Sequence, residues 1–74
     1  MIKFIPPFAY KGHSLYATLI ERGTAVLTIP TPPRWQGYLD NKPLRQWEPK
    51  LDESADDVKQ RLREEAEAWI RSRD

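Results

Sequence analysis

The chain holds one imidazole, His13, and no cysteine. Thiolate metal sites, disulfides and a cysteine nucleophile are therefore outside its chemistry. For His13 to work as a base or a metal ligand it would need a serine and a carboxylate, or further ligands, arranged around it. No spacing in the sequence suggests such a set. Standing next to Gly12, His13 reads as a surface residue. The paired acids Asp56-Asp57 and Glu64-Glu65 are candidates for two-carboxylate chemistry. On a helix, however, neighbouring residues point about 100° apart. Arginines stand among them, so a solvated helix face accounts for them better. Gly12, Gly23 and Gly37 stand alone and make no phosphate-binding loop. The expectation is a protein with no catalytic residue, no cofactor and no metal ligand, hence not an enzyme.

A second constellation is aromatic and basic. Trp35, Tyr38 and Trp47 are interleaved with Arg34, Lys42 and Arg45, and aromatics flanked by cations can stack single-stranded bases. Residues 1–47 carry a net charge of +4 and residues 48–74 a net −3, although the whole chain is only +1. This gives a nucleic-acid candidate set: Lys11, Arg34, Trp35, Lys42, Arg45 and Trp47. Domains that live on phosphate contacts are usually far more basic. The same rings are also the obvious core filler in a chain where Leu, Ile, Val and Phe make up 16 of 74 residues. Pro30-Thr31-Pro32-Pro33-Arg34 resembles a polyproline ligand only superficially, because its basic residue follows the last proline directly.

The elements that would position these residues are legible in the hydrophobic pattern. Residues 13–20 and 24–29 are strand-like runs around Glu21-Arg22-Gly23. A three-residue loop ending in Gly23 pairs Ile20 with Thr24, Ala17 with Leu27 and Leu15 with Ile29. One face then carries Leu15, Ala17, Leu19, Ala25, Leu27 and Ile29. The other carries Tyr16, Thr18, Ile20, Thr24, Val26 and Thr28. Pro6 and Pro7 make residues 1–7 an extended arm instead of a strand. Residues 35–39 and 44–48 form a second hairpin around Asp40-Asn41-Lys42-Pro43. From Ser54 onward the pattern is helical. Ser54-Ala55-Asp56-Asp57 is a capping-box variant, and Ala55, Val58, Leu62, Ala66, Trp69 and Ile70 make one apolar stripe over 54–72.

A single α+β domain over residues 1–74 follows, with an antiparallel sheet of three to four strands in 13–49 and one C-terminal helix on one face. A chain this short buries only about 60% of its unfolded surface, so its stability is expected to be marginal. No run approaches a membrane span or a signal-peptide core, and the expected location is the cytoplasm. The helix covers the Leu15 face. Tyr16, Thr18, Ile20, Val26 and Thr28 are left on the other face as the expected protein interface, for a partner or a homodimer.

The order of Tyr10-Lys11-Gly12, two or three strands, and a helix containing Ala66-Glu67-Ala68-Trp69-Ile70 resembles small bacterial sheet-plus-helix domains such as the HicB antitoxins. The resemblance spans about residues 10–72 as a pattern and implies the architecture. The Pro-Gly-Cys-type segment common after the second HicB strand is replaced here by Pro30-Thr31-Pro32-Pro33, so no residue role carries over.

Overall fold

The structure, a computed structural model, describes residues 2–21 and 32–73. Its elements are β1 (Phe4–Tyr10), β2 (His13–Ile20), β3 (Arg34–Leu39), β4 (Lys42–Pro43) and α1 (Ala55–Arg73). The strands make one antiparallel sheet in chain order, and α1 packs on one face of it. The expected α+β meander with a C-terminal helix is the architecture observed.

Residues 4–10 are a strand, not an arm. Ile5 pairs with Ala17 and Phe8 with Leu15, so Pro6 and Pro7 together oppose Tyr16 alone. That two-against-one bulge leaves its residues out of the ladder, and β1 is an edge strand. Two residues without N–H groups can therefore sit there without breaking a hydrogen bond. The β1–β2 turn is Lys11-Gly12, both at positive φ (48° and 80°), as a tight two-residue hairpin requires.

The register expected for β2 does not hold. Leu15 and Ala17 pair with Phe8 and Ile5 on one side and with Leu39 and Gly37 on the other. No edge remains at these positions for Ile29 and Leu27. The 24–29 run, with Ala25, Val26 and Thr28, lies outside the described residues.

The second hairpin is tighter than its turn-rich quartet suggested. Asp40 and Asn41 alone make the turn, at φ 49° and 67°, and Lys42-Pro43 already belong to β4. Regular pairing then stops. Residues 44–46 oppose only 36–37 before the ladder closes again at Trp35↔Trp47. The Gln36 side chain fills this bulge. Its amide donates to the carbonyls of Leu44 (2.7 Å) and Gly37 (2.9 Å) and accepts from Gln46 Nε2 (2.9 Å). A buried polar side chain is thus fully engaged. The expected 44–48 strand is reduced to the single bridge at Trp47.

Ser54 and Asp57 cap α1 reciprocally: Ser54 N–H donates to Asp57 Oδ2 (3.0 Å), and Asp57 N–H to Ser54 Oγ (3.2 Å). Val58, Leu62 and Ala66 are buried against Ile5, Leu15, Ala17, Leu19, Trp35, Leu39, Leu44 and Trp47. Trp69 and Ile70 are only half-buried at the end of the stripe. Two i,i+4 ion pairs form along the helix among the described residues, Arg61–Glu65 (3.0 Å) and Glu67–Arg71 (3.8 Å). Gly37, inside β3, has a packing reason. A Cβ there would lie 2.6 Å from Leu62 Cδ1 and 3.1 Å from Trp47 Cζ3, so glycine lets the helix close on the sheet.

Candidate functional site

Strand alternation puts Leu15, Ala17 and Leu19 under the helix and turns Tyr16, Thr18 and Ile20 to the opposite face. There the neighbouring strands add Phe4 beside Thr18, Tyr38 beside Tyr16 and Arg34 beside Ile20. Tyr16 and Tyr38 stack with ring centroids 4.8 Å apart and planes 15° apart. The Tyr16 hydroxyl donates to Asn41 Oδ1 at 3.3 Å, which ties this stack to the β3–β4 turn. Phe4 is 53% exposed and Ile20 44%. Among the described residues no element packs over this face.

Three of the five expected interface residues, Tyr16, Thr18 and Ile20, therefore do share a surface. Val26 and Thr28 lie outside the described residues. Phe4 and Tyr38 were missed. Phe4 was hidden by its assignment to an arm, and Tyr38 was grouped with the basic aromatics. The signal that could have found both is the alternation of β1 and β3 in register with β2. The sheet edges are less inviting than the face. β1 carries two adjacent prolines, and β4 is two residues long and ends in Pro43.

The basic-aromatic set is dispersed. Trp35 is 1% exposed and Trp47 4%, stacked on each other within the core (centroids 6.4 Å apart). Neither ring can receive a base. Trp35 Nε1 donates to Glu53 Oε1 at 2.7 Å. Trp47 Nε1 is buried with no partner among the described residues. Lys11 is held by Glu67 (2.8 Å), which also accepts from Tyr10 Oη (3.0 Å), fastening the first hairpin to the helix. The bond to Lys11 pulls the Glu67 carboxyl below its usual range and, reciprocally, raises the Lys11 ammonium. Lys42 lies 5.6 Å from the Trp69 ring. Only Arg34 and Arg45 remain near one another, along a groove with Trp47.

His13 has a carboxylate partner that the sequence did not reveal. Its Nδ1 is 2.6 Å from Asp40 Oδ2, and the Ser14 N–H donates to Asp40 Oδ1 at 2.9 Å. The contact with His13, then the Ser14 N–H, lowers the Asp40 carboxyl. Asp40 N–H donates in turn to the Ser14 carbonyl (2.9 Å), so the pair staples the second turn to the start of β2. Among the described residues no hydroxyl is hydrogen-bonded to the histidine. Among the described residues no group of three His, Asp or Glu side chains could hold a metal. No helix is long and apolar enough to cross a membrane.

Compared with protein-family models, curated proteins and solved structures, the chain shows no significant match.

Proposed function

We propose that the chain is a non-enzymatic interaction module that binds protein through the outer sheet face. A second copy of itself is the simplest partner. The observation that carries this reading is the patch of Phe4, Tyr16, Ile20 and Tyr38, whose charged cross-strand neighbour among the described residues is Arg34. Scattered exposed apolar residues mean little. Four side chains on adjacent strands make a contiguous, nearly uncharged surface of the kind that rests against another chain. A two-fold arrangement brings the same patch together from both copies, so a surface without a strong charge of one sign is self-compatible. The prolines of both edge strands favour face packing over strand addition. The HicB-like order of elements fits a protein-binding role, and no residue is assigned on that basis.

The nucleic-acid alternative has less support, since its two tryptophans are interior and its lysines are engaged on the helix side. The test is the double substitution Tyr16→Glu with Ile20→Glu, followed by sedimentation and by capture with a photo-crosslinker at position 38. Association lost in the variant, with helix content retained, is the expected result. A wild type that stays monomeric and captures no protein would overturn the reading.

A further inference from the structure

A groove of about 590 Å³ runs beside the bulge at the β4 edge, bordered by Arg34, Arg45, Trp47, Lys50 and Arg61. These residues come from four places: the start of β3, the bulge, the segment before the helix, and the second turn of α1. Among the described residues four cations line the groove with one acid, Glu48. Arg34, Arg45 and Lys50 make no ion pair among the described residues. Arg61 is bonded to Glu65 through Nε, and its guanidinium sits 5.8 Å from the Trp47 ring. Like charges gathered on one concave surface repel each other, and a bound anion relieves that repulsion. Three of the four are arginines, whose planar forks suit phosphate and carboxylate oxygens in bidentate contact.

We infer that this groove is a binding site for a doubly charged phosphate group, as carried by a phosphate monoester or by pyrophosphate. With Glu48 in the groove and Arg61 bonded to Glu65, two of the four positive charges are left uncompensated, which a dianion matches better than a single carboxylate does. The groove is open to solvent on one side, leaving room for the group that bears the phosphate. A nucleic-acid strand is the poorer fit. Tracking a backbone needs a line of cations, and Lys11 and Lys42, which would extend it, are held against Glu67 and Trp69. The groove meets the outer-face patch at Arg34, and the substitutions that test it, at Arg45 and Lys50, leave that residue in place.

The test is a titration of the full chain, followed by nuclear magnetic resonance. It uses pyrophosphate, a phosphoserine peptide, an oligothymidylate and sodium chloride at matched ionic strength. The expected result is saturable shifts of the arginine Nε–H and Trp47 indole signals with pyrophosphate or the phosphopeptide. Whichever of those two binds more tightly identifies the source of the phosphate. Arg45→Gln with Lys50→Gln, both exposed and unbonded in the fold, should weaken binding by about tenfold or more while the backbone spectrum stays native. Shifts that chloride reproduces, or that the double substitution leaves unchanged, overturn the inference. So does tighter binding of the oligothymidylate than of either phosphate probe.

Discussion

The two faces of the sheet are built from alternate residues of the same strands, yet they obey different rules. Under the helix, Leu15 and Ala17 are fully buried and Gly37 gives up its side chain so that Leu62 can approach. On the other face, Tyr16 and Tyr38 stack only on each other, and Phe4 and Ile20 remain half in solvent. In a chain with so little aliphatic material, large apolar rings spent outside the core need a reason. The contrast places the stabilising contacts on one side of β2 and the proposed interface on the other. Substitutions should separate the two.

The largest effect is expected on the inner face. Trp35→Ala should cost about 3–5 kcal/mol, a large part of the roughly 4–11 kcal/mol available to a domain of this size. Denaturant titration should show the unfolding midpoint falling by about a third or more. An unchanged midpoint for Trp35→Ala would break the comparison, because the core would then not depend on its largest member. Gly37→Val should come next, at about 1–3 kcal/mol from forced overpacking against Leu62 and Trp47. A fall in melting temperature with unchanged outer-face behaviour would sharpen the separation.

Smaller effects fall at the ends of the elements. Ser54→Ala removes the cap and should cost about 1 kcal/mol, read as lost helicity and a lower denaturant midpoint. The same cap sets an acid dependence. Bonding to the Ser54 N–H and hydroxyl lowers the Asp57 carboxyl below its ordinary value of 3.8. A depressed folded-state value means the contribution is complete above the ordinary value and is lost as pH falls through the folded one. Asp40 and Glu67 act in the same direction. Melting temperature should therefore drop on acidification below about pH 4, and Asp57→Asn should flatten part of that drop. The smallest effect on stability belongs to the outer face. There Tyr16→Glu with Ile20→Glu should change monomer stability by less than about 1 kcal/mol while abolishing association.

Much of this fold was legible in the residues. The stripe Val58, Leu62 and Ala66 and the Ser54 cap placed the helix to within a residue, because both signals are local. The inward set Leu15, Ala17 and Leu19 was also correct, since alternation fixes a face whatever strand lies alongside. What strand lies alongside is non-local, and there the reading failed. Pro6-Pro7 argued against a strand, but a bulge opposite Tyr16 removes the hydrogen bonds that prolines would break. The 35–39 strand was expected and is found, but its pairing with β2 was not, and the reason for Gly37 within it is a leucine 25 positions away. With β1 read as an arm and the β2–β3 pairing unassigned, Phe4 and Tyr38 could not be placed on the outer face. The His13–Asp40 contact stayed hidden for the same reason, as it joins two turns that only the sheet register brings together.

Sedimentation velocity over the widest attainable concentration range, run on the wild type and on the Tyr16→Glu, Ile20→Glu variant, tests the outer-face account most directly. The account predicts that the wild-type sedimentation coefficient rises toward that of a dimer, while the variant stays monomeric with the same helical spectrum. A wild type and a variant that sediment alike at every concentration would contradict it.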